Sequence, residues 1–216
     1  MAGLAETTIG ILAGVGGVFG IRAGTEEPRF SVVEHVGAVE IRQYGPRLAA
    51  ETTVSGPDEA ARNEGFRRIA GYIFGGNTAK SSIAMTAPVA QSAAPDKSAA
   101  SEKIAMTAPV AQTAGGPGAW RVQFFMPARY TRQTLPTPSD PSVRIVEIPA
   151  QTFAVLRFSG SRTGPAVAAR QKQLLAGLAS GPWRVTGEPS AWFYDPPWTP
   201  PFLRRNEVAA PVARAG

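Results

Sequence analysis

The chain has 216 residues, 44% of them hydrophobic and 18% charged, a balance that suits one globular domain or two fused halves. It has no cysteine and a single histidine, His35, which excludes disulfides, thiolate ligands, cysteine nucleophiles and sites built from several histidines. The net charge of +6 comes from 18 arginines and 4 lysines against 16 acids, but no basic run interleaves with aromatic residues, so nucleic acid is not expected as a partner.

The N-terminal segment, residues 1–24, differs in composition from the rest of the chain. Residues 9–21 are all apolar or glycine, but a helix of that length would span only about 20 Å, which is short of a bilayer core. Basic residues follow this run at Arg22 and Arg29 and do not precede it, unlike in a secretory signal. We expect membrane contact through residues 4–21, as an anchor or an atypical export signal; the alternative is a cytoplasmic protein.

The next part of the chain, about residues 29–126, reads as strands around one helix. Phe30–Val36 and Val39–Tyr44 flank Gly37, which predicts a hairpin, and Arg47–Ser55 predicts a third strand. A further strand is expected at residues 120–126.

The first predicted helix begins at Gly56-Pro57-Asp58-Glu59, because proline and acids suit a first helical turn. It ends at Gly75-Gly76-Asn77. Apolar residues follow i, i+3, i+4, i+7 spacing along one face: Phe66, Ile69, Ala70 and Ile73.

The nine residues IAMTAPVAQ occur twice, at 83–91 and again at 104–112. Two copies are too few for a solenoid, and neither copy carries an acid, a base or a nucleophile beyond one threonine, so a catalytic motif is not indicated. Residues 92–103 between them are poor in hydrophobic side chains and predict a flexible insertion.

The last part of the chain, about residues 143–213, repeats the order of the first. Residues 143–160 align with residues 39–56 without a gap, and both stretches lead into a helix that begins with proline. The second helix starts at Pro165 and stops at Gly181-Pro182. Further strands are expected at 183–185, 191–194 and 206–212. Two such halves predict an α+β fold, with an antiparallel sheet or barrel and two helices packed on it.

Candidate catalytic residues are scarce. His35 lies in a predicted strand, and Glu147 and Glu188 are isolated carboxylates, so we expect structural or surface roles and no enzyme. Residues 192–208, WFYDPPWTPPFLRRNEV, are more informative. Their prolines would hold aromatic faces beside an arginine pair, which suits a flat apolar ligand with acidic groups. The alternative is a loop that only closes the end of the sheet.

Five motifs stand in order along the chain: VEIRQYGP, GYIFGGN, IAMTAPV, FFMP and YDPPWTPPFLRRNEV. Together they resemble the SOUL/heme-binding protein family, over roughly residues 29–213. The resemblance implies a pseudo-twofold, distorted eight-stranded antiparallel β-barrel with two flanking α-helices. It also implies non-catalytic binding of heme or a related tetrapyrrole, as a carrier or buffer. Alternatives are a module for another apolar ligand or a membrane-anchored interaction protein.

The resemblance places the ligand cleft beside the first helix. Apolar residues of that helix would line the cleft, and Tyr194 would close it. Heme is flat and apolar with two carboxylates, so it needs cations along one edge of such a slot. The candidates are five arginines: Arg62, Arg67, Arg68, Arg204 and Arg205.

Axial ligation of the iron is not predicted. Where some members of the family carry a histidine in the EIRQYGP motif, this chain has Gln43, and Thr199 replaces a lysine found in some C-terminal loops. His35 could serve only if the hairpin brings it to the cleft. Met85 and Met106 offer thioethers, although apolar packing is the favoured role for both.

The resemblance also bears on the duplicated stretch, because the family has one strand after the first helix. The first copy keeps the expected spacing from Asn77, so we expect it to supply that strand. The second copy would add a hairpin strand or compete for the same position.

We expect a bacterial, monomeric protein. Its excess of arginine reflects either a GC-rich genome or an anionic partner.

Overall fold

The structure is a computed structural model and describes residues 26–84, 86–93, 118–196 and 198–216. Several expectations therefore lie outside the described residues. These are the N-terminal segment at residues 1–24, with its membrane contact at 4–21, and the two methionines, Met85 and Met106. The second repeat copy at 104–112 and most of the 92–103 insertion also lie outside them. No helix within the described residues is long and apolar enough to cross a membrane.

The first half of the chain follows the predicted order closely. Its described residues form five strands and one long helix: β1 (Phe30–Val36), β2 (Val39–Tyr44), β3 (Arg47–Ser55), α1 (Asp58–Ile73), β4 (Val89–Ala93) and β5 (Ala119–Phe125). The hairpin at Gly37 forms as expected. Strand β4 starts within the first IAMTAPVAQ copy and extends two residues beyond it.

The second half repeats this order with one short extra strand. Its elements are β6 (Arg144–Ile148), β7 (Gln151–Phe158), α2 (Gly164–Leu178), β8 (Trp183–Val185), β9 (Ser190–Phe193) and β10 (Asn206–Arg214). A single 3-10 turn, Pro201–Leu203, interrupts the loop before β10.

All ten strands join one antiparallel sheet that curls into a half-barrel, in the order β1-β2-β7-β10-β9-β4-β5-β3-β6, with β8 added to β10. The α+β prediction is confirmed. Eight of the strands obey a pseudo-twofold: β2, β7, β10 and β9 correspond to β6, β3, β5 and β4. Strands β1 and β8 are additions to this set, so the sheet has ten strands where the resemblance implied eight.

The twofold is visible in the backbone at the start of each helix. Gly56 follows β3 with φ +135°, and Gly160 follows β7 with φ +104°. Both values lie in the region that glycine adopts without strain. Each glycine is the last residue of its aligned 18-residue stretch. The two halves therefore share a backbone conformation at equivalent positions.

Both helices pack on the same face of the sheet. Helix α1 lies on β3 and β5, and α2 lies on β7 and β10, so the central strands β4 and β9 run between the helix-bearing pairs. In α1, Ile69 and Ile73 are buried against the sheet, and a Cβ on Gly65 would come within 2.6 Å of Val122. The helix can lie this close only because residue 65 has no side chain.

The opposite face carries an aromatic cluster of Tyr44, Phe125, Phe153 and Trp192. The Trp192 ring lies 5.3 Å from Phe153 and 5.6 Å from Tyr44, at the tilted angles that aromatic pairs prefer. Residues from seven strands line one cavity on this side, which makes it the concave face. The sheet is therefore buried on both faces, with the helices on one side and aromatic and charged residues on the other.

Candidate ligand-binding site

The helix-side site is built first from α1. Arg62, Phe66 and Ala70 follow one another at intervals of four residues and form one stripe of the helix. Phe66 is 38% exposed, and its ring centre lies 5.4 Å from that of Phe124. The Arg62 guanidinium lies 5.0 Å from the centre of the Phe193 ring. The stripe thus offers a cation next to a partly exposed aromatic ring.

The rings under this stripe belong to neighbouring strands. Val89 of β4 is opposite Phe193 of β9 on one side and opposite Phe124 of β5 on the other. Because residues in register on adjacent strands point to the same face, these three side chains form a continuous apolar floor. Arg62 lies above one end of that floor and Phe66 above the other.

Arg162 approaches the same floor from the second half of the chain. Its guanidinium lies 5.5 Å from the Phe193 ring centre, and its Nη1 donates to the carbonyl of Asp195 at 3.0 Å. The Arg62 Nη1 donates to the Arg162 carbonyl at 3.3 Å. Two arginines, one from each half, thus share one aromatic ring.

The electrostatics of Arg162 reflect this crowding. Burial, and after it the positive charges of Arg204 and Arg62, lower the pKa of Arg162 to about 10. Asp195 and Glu59 act in the opposite direction with smaller effects. We call Arg62, Arg162 and Arg204 the arginine cluster; an anion bound there would relieve the repulsion among its members.

The loop between β9 and β10 borders the arginine cluster. Its Pro201 carbonyl accepts a hydrogen bond from the Gly160 amide at 2.9 Å, and Arg204 Nε donates to the Thr199 carbonyl at 2.7 Å. Trp198 and Phe202 of this loop are 62% and 76% exposed. The predicted aromatic and arginine-rich loop is therefore tied to the start of α2 and presents apolar surface.

The structure brings together only part of the predicted site. Ile69 and Ile73 of α1 are fully buried under the helix, and Ala70 is 9% exposed. Arg67 and Arg68 both pair with Glu64, at 2.6 and 2.9 Å, on the outer side of the helix. Of the five predicted cations, Arg62 and Arg204 belong to the arginine cluster.

Tyr194 and Arg205 lie on the concave face, in a different group of residues. The Tyr194 hydroxyl donates to Glu207 at 2.6 Å, and Arg205 pairs with Glu207 and with Glu27, each at 3.0 Å. Arg42 reaches the same carboxylate, with Nη1 2.9 Å from Glu207 Oε2. We call these five residues the Glu207 network; it is separated from the arginine cluster by the sheet.

Glu207 is wholly buried, yet it remains ionised. Burial alone would raise its pKa, but the hydrogen bond and charge of Arg42, assisted by Tyr194 and Arg205, hold the pKa of Glu207 below its usual range. Burial, and after it the charge of Glu207, raises the pKa of Tyr194 well above that of a free tyrosine. Near neutral pH, the Glu207 carboxylate is therefore surrounded by two guanidiniums and a neutral phenol.

Two of the residues considered for iron ligation, Gln43 and His35, lie away from α1 in the sheet. Gln43 is exposed on β2, and His35 is exposed on β1, whereas α1 packs on β3 and β5. Within the described residues, no group of three or more histidines, cysteines and acids could hold a metal ion. The described residues that suit heme are the arginines, which could bind its carboxylates, and the aromatic side chains, which could contact its apolar faces.

Arg162 was missed in the sequence, although it leaves a signal there. It stands two residues before α2, at the position that Asp58 occupies at the start of α1, 104 residues earlier. Helix N-termini favour acids and disfavour cations. The first half has an aspartate at this position, at the start of its helix, and the second half has an arginine. Because a cation is unfavourable there, the arginine points to a role outside the helix.

Comparison with known proteins agrees with this architecture. The family model described as SOUL heme-binding protein matches residues 25–101 and 95–211, and each segment contains one IAMTAPVAQ copy. Heme-binding protein 2 of Mus musculus is 28% identical over 204 residues, which cover 88% of this chain and 89% of the mouse protein.

Solved structures show the fold alone, because their sequence identity is low. The EcmrR C-terminal domain superposes with a TM-score of 0.58 at 12% identity, covering 82% of this chain and 98% of that domain. A hydrolase from Listeria innocua gives 0.53 at 10% identity, covering 81% and 91%. The family match covers most of the described fold, and the chain belongs to the SOUL heme-binding protein family.

Proposed function

We propose that this protein binds heme or a related tetrapyrrole on the helix side of the sheet, without catalysing a reaction on it, as a carrier or buffer. The observation that supports the site most strongly is the convergence of Arg62 and Arg162 on the Phe193 ring from the two halves of the chain. In this proposal the propionates bind the arginine cluster, and the macrocycle lies against exposed apolar surface of α1 and of the loop before β10.

The chemistry of the donors fits such a ligand. Guanidinium groups bind carboxylates through charge-assisted and often bidentate hydrogen bonds. Phe66, Trp198 and Phe202 supply exposed aromatic surface for a flat apolar ring system. The bound tetrapyrrole would bring the redox and ligand-binding chemistry of its own metal. The residues described here orient it and neutralise its carboxylates.

A hemin titration followed by absorption tests the proposal. We expect a Soret shift that saturates at one hemin per chain, and an affinity lowered about tenfold in Arg162→Gln, since a charge-assisted hydrogen bond contributes roughly 1.5–3 kcal/mol. Arg170→Gln is the matched control, because it removes an exposed arginine of α2 whose contacts in the described part of the chain are with Gln173 and the Phe158 ring.

Two outcomes would reject this site. Hemin that keeps its spectrum in buffer when the protein is added would reject tetrapyrrole binding altogether. Equal affinities for Arg162→Gln and Arg170→Gln would reject the arginine cluster as the place where the propionates bind.

We also propose that the apolar segment at residues 4–21 brings the protein to a membrane. Its supporting observation is the uninterrupted apolar and glycine run at residues 9–21. Fractionation of cells that express the full chain, or a chain without residues 1–24, measures this directly. Loss of the protein from the membrane fraction on deletion is expected; unchanged recovery would contradict it.

A further inference from the structure

Two cavities on the concave face share one wall. Their volumes are about 710 and 750 Å³, in the range of small-molecule sites. Five residues line both: Arg47, Phe125, Glu147, Ile148 and Pro149. The sheet separates the cavity of about 750 Å³ from the arginine cluster, since Phe125 and Trp192, which line it, belong to the concave-face cluster and Phe193 to the helix-side core.

Arg47, the first residue of β3, stands where the two cavities meet. Its guanidinium carbon lies 4.8 Å from the ring centre of Tyr44, 4.9 Å from that of Phe125 and 5.7 Å from that of Phe153. Its Nη1 donates to the Gly45 carbonyl at 3.3 Å. Its buried Nε has no hydrogen-bond partner within the described part of the chain. The guanidinium is therefore held by aromatic faces and keeps unused donors.

The other charged groups lining the larger cavity do not neutralise Arg47. Glu51 accepts a hydrogen bond from Arg144 Nε at 3.0 Å and also lies 3.7 Å from Arg121. Two further acids are exposed: Glu147 and Glu188. Among the described residues, the ion pairs include none formed by Arg47. Burial lowers its pKa to about 10, so it stays charged near neutral pH.

We propose that the cavity of about 750 Å³ binds a planar aromatic carboxylate, with the carboxylate on the Arg47 guanidinium and the ring against Phe153 and Trp192. The apolar part of the site also includes Ala90 and Pro211, whose side chains have no hydrogen-bonding groups. A carboxylate in the cavity would accept hydrogen bonds from the terminal nitrogens of the guanidinium, and the aromatic walls would limit the access of water to the pair. This site is independent of tetrapyrrole binding on the helix side.

Calorimetric titration with 2-naphthoate and with its neutral isostere 2-naphthamide tests the site on the full chain. We expect 2-naphthoate to bind with a dissociation constant below the millimolar range, and 2-naphthamide to bind about tenfold more weakly. Arg47→Met should remove this preference for the carboxylate. Arg129→Met, which removes an exposed loop arginine, should keep it.

The comparison within the wild type does not depend on the folding of a variant. Equal affinity for the two ligands, or no heat with 2-naphthoate at millimolar concentration, would overturn the proposal. So would an Arg47→Met protein that melts cooperatively and still prefers the carboxylate. Hemin binding should be unchanged in Arg47→Met, so failure here is distinguishable from failure of the helix-side site.

Discussion

The Glu207 network and the arginine cluster lie on opposite faces of one sheet and treat their cations differently. In the network, Arg42 and Arg205 share the buried Glu207, and Arg205 also binds Glu27. In the cluster, Arg62 lies 3.5 Å from Asp58, and Arg162 and Arg204 donate to backbone carbonyls. Charges that are neutralised within the fold stabilise it. Arginines that crowd together beside exposed apolar surface are suited to an anionic ligand.

The largest effect is expected for Glu207→Gln. This change leaves Arg42, whose side chain is 4% exposed, without its buried counter-charge. We expect a loss of roughly 3–5 kcal/mol in the free energy of unfolding, measured with urea, because an uncompensated buried charge is strongly unfavourable.

Glu40→Gln is the matched control for this experiment. Glu40 also contacts Arg42, at 2.7 Å, but its side chain is 36% exposed. Its removal should change the free energy of unfolding by less than about 1 kcal/mol. Similar losses for the two variants would show that burial does not distinguish the network from a surface ion pair.

The next largest effect should distinguish the two repeat copies. Ala90 of β4 is 5% exposed and packs in the aromatic cluster of the concave face. Ala90→Asp should therefore lower the free energy of unfolding by at least about 2 kcal/mol, because it buries an unpaired carboxyl.

Ala111→Asp makes the identical change in the second copy. If the first copy alone supplies β4, this variant should unfold at the urea concentration of the wild type. Equal destabilisation by the two substitutions would mean that both copies are needed in the folded protein. Little effect of either alone would mean that each copy can replace the other.

A smaller effect is expected from pH, and its sign follows from Glu207. Its pKa is lower in the folded protein than in the unfolded chain, so its stabilising contribution is complete above the ordinary glutamate range and is lost as the pH falls through the folded pKa. The difference in unfolding free energy between wild type and Glu207→Gln should shrink as the pH is lowered from 7 towards 3. A constant difference would contradict the ionised carboxylate.

The smallest change in stability is expected for Arg162→Gln. Burial and neighbouring arginines disfavour its charge, so removing that charge should alter the free energy of unfolding by no more than about 1 kcal/mol, measured by urea denaturation. A loss as large as that of Glu207→Gln would contradict the contrast between the two regions.

Local sequence patterns predicted the individual helices, strands and turns of the fold. The Gly37 hairpin, the start of α1 at Pro57 and the two aligned 18-residue stretches all appear where the sequence places them. No local pattern predicts that strands of one half pair with strands of the other half. Strand β2 pairs with β7, and β3 pairs with β6, because tertiary packing selects partners about 100 residues apart.

The site was predicted in part for the same reason. Helical spacing predicted one apolar face with Phe66 and Ala70, and the resemblance added Arg62, which the structure places on the same stripe. The resemblance grouped Tyr194 and Arg205 with residues on the other side of the sheet, and strand periodicity could not correct this because it does not tell which face meets a helix. Glu207, an acid directly before the apolar run VAAPV, was the available sign of a buried ion network.

The most direct test of the arginine cluster compares hemin with hemin dimethyl ester, in wild type and in Arg162→Gln. The esters remove the two negative charges and keep the macrocycle. We predict that wild type binds hemin at least about tenfold more tightly than the ester, and that this ratio falls towards unity in Arg162→Gln. An ester that binds wild type as tightly as hemin would contradict the account.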